Sequence, residues 1–245
     1  MLQACLNGGR TAAETPNVPL TPEALARDAI AAREAGADAY HVHPRNAEGA
    51  ESLAPKDVTA ALRAIRAAVP GLPVGIGTGA WIAPGGQERH AHIRAWEELP
   101  DYVSINLNEP DCIDVMEMMH ERGIGIEAGV WSVADARKLC REANKSDVLR
   151  ILVEMPDVAA PRARTEAALC LELLRARGAT APILLHGEGQ SAWPCVVEAA
   201  RLGLDTRMGF EDVLDLPDGT PAPSNAALIG AARDLIDHSS QGLTG

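Results

Sequence analysis

At 245 residues with 47% hydrophobic content, the chain is long enough to bury a full core and has the size of one α/β barrel domain spanning 1–245. A formal net charge of -12 at pH 7, with acids mixed among arginines along helical segments, describes an acidic protein and excludes the basic stripe that nucleic acid requires. Five cysteines without paired spacing, no signal-peptide pattern at the start and no apolar run of about 18 residues predict reduced thiols, a cytoplasmic location and no membrane partner.

In chain order, short apolar runs predict strands at residues 2–6, 39–43, 73–77, 102–107, 124–128, 149–154, 183–186 and 206–209. Segments of helical period between them predict helices at 22–35, 55–68, 87–97, 112–122, 132–143, 164–177, 191–202 and 224–238. Strict alternation of eight with eight fits a closed (β/α)8 TIM barrel better than an open sheet. Thr21-Pro22-Glu23-Ala24 offers an N-cap, a proline in the first helical turn and an acid near the helix's positive end, and Gly36 ends that helix. Ser224-Asn225 caps the last helix, and the polar tail, about 238–245, is expected to fray.

Active sites of such barrels lie at the carboxyl ends of the strands. Polar residues gather there: Asn7-Gly8-Gly9-Arg10 after the first strand, His41, His43 and Arg45 on the second, Thr78 on the third, and Ser104, Asn106 and Asn108 on the fourth. Later strands add Glu127, Glu154, His186 with Glu188, and Arg207 with Glu211 and Asp212. Among these, Arg10, Thr78, Ser104 and Asn106 are the candidate substrate-binding residues. Glu127 and Glu154 read as pocket acids or as buried partners of Arg45 and Arg10, with the structural role preferred.

His41-Val42-His43 carries the chemistry. Side chains two apart on a strand point the same way, so both imidazoles project to one side as a chelating pair. Zinc takes nitrogen donors with a carboxylate and keeps a position open for substrate, and Glu211, just after the eighth strand, is the candidate third donor; the alternative is that one histidine faces a helix or bonds a backbone carbonyl. His90-Ala91-His92 has the same spacing in a helical segment, where two residues span about 200° and the rings diverge, so it predicts only a solvated helix surface.

Several motifs in one order resemble the β-keto acid cleavage enzymes: Asn17-Val18-Pro19-Leu20-Thr21-Pro22-Glu23, Ala35-Gly36-Ala37, His41-Val42-His43-Pro44-Arg45, Arg207-Met208-Gly209-Phe210-Glu211-Asp212, and residues 219–225. The resemblance implies a zinc-dependent barrel that takes a β-keto acid and acetyl-CoA and yields acetoacetate and a CoA thioester of the remaining acyl group. By the same resemblance, His41, His43 and Glu211 hold Zn2+, Arg207 and Asp212 form the polar pair near the reacting carbon, with Asp212 as a plausible base, and Ser104 supplies a pocket hydroxyl. It also implies a homo-oligomer. Trp81, Trp131 and Trp193 fall in predicted loops near the mouth, as lining of a pocket or of a subunit contact, and Trp96, on a predicted helix, is expected in the core.

The chain departs from the family pattern at Asn46, where an aspartate is common, and at Gly77-Thr78-Gly79-Ala80, where Ser-Thr-Gly-Gly is usual. His186-Gly187-Glu188-Gly189-Gln190 lacks the arginine that shapes the cofactor end. Gly9 stands where some members place an acid that meets a substrate amino group, which disfavours an aminated keto acid, and Arg10 hints at an acidic one. Three alternatives stay open: an ordinary rim salt bridge for Arg207 and Asp212, a single-zinc aldolase or hydrolase acting without CoA, and a metal-binding relative without turnover. Lys56, Lys138 and Lys145 fall in helical or loop segments, which leaves a Schiff-base aldolase or a bridging lysine poorly supported.

Overall fold

Strands and helices alternate along the chain in the order, and with the types, that the apolar runs and helical periods predict. The computed structural model describes residues 1–142 and 147–241, so the predicted end of the fifth helix at Ala143, together with Lys145 and residues 242–245, lies outside the described residues. The strands are β1 (Leu2–Cys5), β2 (Ala39–Val42), β3 (Val74–Gly77), β4 (Tyr102–Asn106), β5 (Gly125–Val130), β6 (Arg150–Met155), β7 (Ile183–Gly187) and β8 (Thr206–Met208). The helices are α1 (Pro22–Glu34), α2 (Pro55–Ala68), α3 (Gly86–Arg94), α4 (Cys112–Glu121), α5 (Val133–Glu142), α6 (Ala160–Ala176), α7 (Ala192–Leu202) and α8 (Asn225–Gln241).

Every pairing is parallel, in the order β7-β6-β5-β4-β3-β2-β1-β8, and the sheet nearly closes on itself. At the β7/β8 seam, Asp205 accepts from the Leu185 N–H at 2.9 Å and donates to Ile183 at 3.1 Å, and the Thr206 hydroxyl donates to Leu185 at 2.8 Å. The fold is therefore a TIM barrel. Among the described residues, no helix is long and apolar enough to cross a membrane.

The helices form because their apolar residues recur on one face. On α2, Val58, Ala61, Leu62 and Ile65 are buried against the sheet, each large one contributing about 1.5–3 kcal/mol. Thr21 caps α1 by accepting from the Ala24 N–H, and Gly36, at φ +107, turns the chain out of it. Most boundaries shift by a residue or two, and three shift by more, the first being the end of α3 at Arg94 instead of 97. Helix α6 starts at Ala160 instead of 164 because Pro161 opens the first turn, where its missing N–H costs no bond, and α8 runs to Gln241, past the predicted end at 238. Trp96 lies just beyond α3, is 3% exposed and donates to the Leu53 carbonyl, in keeping with a core role.

The barrel floor holds a polar layer. Gln3 donates to the Tyr102 hydroxyl and to Glu127, and Arg150 approaches the same Glu127 at 3.2 Å. Glu127 is thus structural, as preferred from sequence, but its partners are Arg150 and Gln3, not Arg45 or Arg10. Arg45 and Arg10 spend their guanidiniums chiefly on backbone carbonyls: Arg45 on Gly8, Arg10 and Gly49, and Arg10 on Phe210 and Glu211.

Ser224, as expected, caps α8 by accepting from the Ala227 N–H, while Asn225 turns inward. Its amide accepts from the Phe210 N–H at 2.6 Å and donates to Leu6 at 2.7 Å and to Asp28 at 2.6 Å. One side chain thereby ties the ends of β1 and β8 to α1. Asn225→Ala leaves a buried N–H and a buried carbonyl without partners, and should lower unfolding stability by about 2–4 kcal/mol in urea denaturation.

Candidate active site

At the carboxyl ends of the strands the barrel opens into a cavity of about 340 Å³. His41 on β2 and His43 just beyond it project into this cavity from the same side, as strand alternation requires. Asn7, after β1, pins the backbone of His43 twice, accepting its N–H at 2.8 Å and donating to its carbonyl at 2.8 Å. The side chain of Asn7 continues the β1–β2 ladder one step beyond the strands, and its polarity, legible as a mouth residue, serves position.

The two Nε2 atoms stand 3.1 Å apart. Tetrahedral zinc with Zn–N of about 2.0–2.1 Å spaces two nitrogen ligands by roughly 3.3 Å, so this separation suits one shared ion. Glu211, in the turn after β8, brings Oε2 to 3.6 Å from His41 and Oε1 to 3.9 Å from His43. Donor atoms of His41, His43 and Glu211 all lie within 4.8 Å of one another. Gly8, at φ +49, makes this possible, because a Cβ there would meet the Cγ of Glu211 at 2.3 Å.

Electrostatics suit a cation. Burial, only partly opposed by Glu211, pulls His41 down to about 3, so the ring is neutral and able to ligate at ordinary pH. Burial pushes the Glu211 carboxyl up, but Arg207, His41 and His43 together hold it well below the usual range. Its Oε2 is buried with no hydrogen-bond partner among the described residues, an acceptor that a divalent cation would satisfy.

Arg207 on β8 faces the cavity and ties its corner together. It donates to Asp212 at 2.8 Å and 3.1 Å, to Glu211 at 2.9 Å and to His186 at 3.1 Å. Asp212 is fully buried behind this guanidinium and does not line the cavity; its Oδ2 has no hydrogen-bond partner among the described residues. Glu154 does line it, with Oε2 3.1 Å from His186 and Oε1 4.0 Å from Arg207. The partner of Glu154 is therefore His186, not Arg45 or Arg10. Burial and Arg207 lower His186, yet Glu154 and Asp212 prevail and raise it to about 9.

Of the candidate substrate-binding residues, Ser104, Asn106 and Arg10 line the cavity. Thr78 does not: its hydroxyl donates to the Ser104 carbonyl at 2.7 Å, turning it away from the mouth. Trp81 and Trp131 stand in the cavity wall, Trp131 donating to Asn106 at 3.0 Å. Trp193 instead lies in the first turn of α7 and donates to Asp215. His90, expected on a solvated surface, is buried, because Asp111 draws both it and Arg89 inward at 2.8 Å.

Sequence reading missed two contributors. Glu51 lies 2.5 Å from the Nδ1 of His43, and the glycines of β3 and its turn make room for side chains, Gly77 and Gly79 having been read only as part of a turn with a lost hydroxyl. A Cβ at Gly77 would stand 2.3 Å from the His43 Nε2. The alternation of glycine along β3 was the available signal, since it leaves one face of that strand bare.

Two imidazoles and a carboxylate converging over an open cavity define a (β/α)8 barrel with a candidate metal centre at its carboxyl mouth. A family model described as "beta-keto acid cleavage enzyme" matches residues 1–242, and the chain belongs to that family of enzymes. It is 29% identical over 237 residues to the 3-oxoadipate:acetyl-CoA acetyltransferase of Cupriavidus necator, covering 91% of this chain and 83% of that protein. It is 24% identical over 248 residues to the 3-keto-5-aminohexanoate cleavage enzyme of Acetoanaerobium sticklandii, covering 94% and 88%. Among solved structures, ObcA in a ternary complex with a C4-CoA adduct and oxalate has the same fold, with a TM-score of 0.72 at 18% identity over 93% of this chain. The chain spans 65% of the length of that protein.

Two outcomes follow from the geometry. Gly77→Ala should force the His43 ring out of the cluster at about 1–3 kcal/mol in stability, seen in a crystal structure of the variant. Burial, with Glu154 and Asp212 nearby, raises Glu188 in the cavity wall from 4.5 to about 7. The native state then binds the extra proton between these values, so this carboxyl lowers stability as pH rises through that window. Glu188→Gln removes the effect, and the stability of the variant relative to the unaltered protein should increase from pH 4 to pH 8 in urea titrations.

Proposed function

We propose that this barrel is a zinc-dependent β-keto acid cleavage enzyme that condenses a β-keto acid with acetyl-CoA and releases acetoacetate and an acyl-CoA by a retro-Claisen step. The observation that carries the reading is the convergence of two imidazoles and a buried, unpartnered carboxylate oxygen at the mouth, in a chain whose family cleaves β-keto acids. His41, His43 and Glu211 would hold the ion. A bound divalent cation would supply Lewis-acid polarisation of the keto and carboxylate oxygens, which acidifies the carbon between them.

The chain's own groups do the rest. Arg207 presents a fixed positive charge to the cavity and supports negative charge as it develops. The proton leaving the central carbon passes to a carboxylate at the Arg207 corner. Glu154, paired with His186, is the carboxylate that faces the cavity and is the assigned acceptor, while Asp212, the base expected from sequence, lies behind the guanidinium and acts through Arg207, which it holds in place. Ser104 and Asn106 offer polar contacts along the β4 wall, and Trp131 fixes the Asn106 amide. Thr78 contributes only by tying β3 to β4.

Arg10 brings a guanidinium to the rim beside Glu14, at 3.0 Å, which favours an acidic β-keto acid over an aminated one. The relative from Cupriavidus necator is named for 3-oxoadipate, which makes that compound the first to test. We place the enzyme in the cytoplasm as a single domain over 1–245 that assembles into a homo-oligomer, with no nucleic-acid or membrane partner.

Purified protein incubated with 3-oxoadipate or shorter β-keto acids and acetyl-CoA should form acetoacetate and the corresponding acyl-CoA in equal amounts by mass spectrometry. Turnover without acetyl-CoA would instead favour an aldolase or hydrolase, and tight binding without turnover a non-catalytic relative. Glu154→Gln should lower kcat by about 10²- to 10⁴-fold and Asp212→Asn by less. The reverse ranking transfers the proton to Asp212.

A further inference from the structure

We propose that Glu51 is a positioning residue for the metal centre, its carboxylate accepting the Nδ1–H of His43 and so turning the Nε2 lone pair of that ring toward His41 and Glu211. The inference rests on the metal reading above and adds a residue to it. Beyond β2 the chain bends back through an antiparallel bridge between Arg45 and Glu51, which returns Glu51 to the ring eight residues earlier. The Oε1 of Glu51 stands 2.5 Å from Nδ1. The indole N–H of Trp81 then reaches both carboxylate oxygens, at 3.3 Å and 3.2 Å, and fixes the plane of the group.

The chemistry of this series is directional. A proton held on Nδ1 by a carboxylate leaves Nε2 as the ring's one lone pair, and the same carboxylate makes that nitrogen a stronger donor. Trp81 is in the cavity wall whereas Glu51 is not, so Glu51 acts through His43 instead of on substrate. Gly77 closes the opposite side of the ring, where a Cβ would stand 2.3 Å from Nε2. His41 has no such support, its Nδ1 being buried without a partner. The two imidazoles are therefore unequal, and His43 is the one whose donor atom is set by a second residue.

The test is zinc affinity of the full chain, stripped of metal and titrated with zinc in competition with a chromophoric chelator. The unaltered protein should bind one equivalent, and Glu51→Ala should bind roughly 10- to 100-fold more weakly. Glu51→Gln, whose amide oxygen still accepts the Nδ1–H, should recover part of that loss. Trp81→Phe, which removes only the indole N–H from a residue that is 61% exposed, should give a smaller weakening in the same direction. The visible spectrum of cobalt(II)-loaded protein should shift in Glu51→Ala, and the thermal midpoint of the metal-free variants checks that they fold. Equal zinc affinity in the unaltered protein and Glu51→Ala overturns the role of Glu51 and leaves the metal reading standing. Should Glu51→Ala not fold, equal affinity in both Glu51→Gln and Trp81→Phe overturns it in the same way. Failure of the unaltered protein to bind zinc overturns the metal reading and this role together.

Discussion

The pairing of the last strand with the first is the constraint on which the site depends. His41 and His43 come from the second strand and Glu211 from beyond the eighth, and they meet only because β8 pairs with β1 and β1 with β2. An open sheet in sequence order would hold β8 at the far edge from β2. The seam that completes the ring is short, a few bonds around Asp205 and Thr206, while the ladders on either side of β1 are regular. The chemistry at the mouth thus rests on a topological fact fixed by backbone hydrogen bonds well below it.

Around the three donors, charge is arranged in opposition. Arg207 is buried among Asp212, Glu211 and Glu154, and it holds Glu211 in its charged form where burial alone would protonate it. Glu188 lies outside the reach of that guanidinium's hydrogen bonds and moves the other way, up to about 7. Two carboxyls in one cavity are thereby driven apart by what stands next to each, which is how a single pocket keeps one acid charged while another carries a proton.

Much of the fold was legible because each element announces itself locally. Apolar runs bounded by Gly and Pro mark the strands, the 3.6-residue period marks the helices, and Thr21 and Ser224 mark helix starts. The His41-Val42-His43 spacing placed two imidazoles on one side because strand geometry is rigid. What was not legible depends on packing between distant segments. Nothing local states that Thr78 spends its hydroxyl on Ser104, that Asp212 lies behind Arg207, or that Asp111 pulls His90 inward. Glu51 escaped because its relation to His43 is made by a bend in the chain, not by a period.

Asn225 gives the last helix a part in the site that its distance along the chain conceals. By holding the N–H of Phe210 and the carbonyl of Leu6, it sets where the turn bearing Glu211 can lie relative to the strand beside His41. During synthesis the imidazoles emerge early and the carboxylate late, and the residue that seats the carboxylate later still. The full donor set consequently comes together only once α8 has docked, late in the making of the chain.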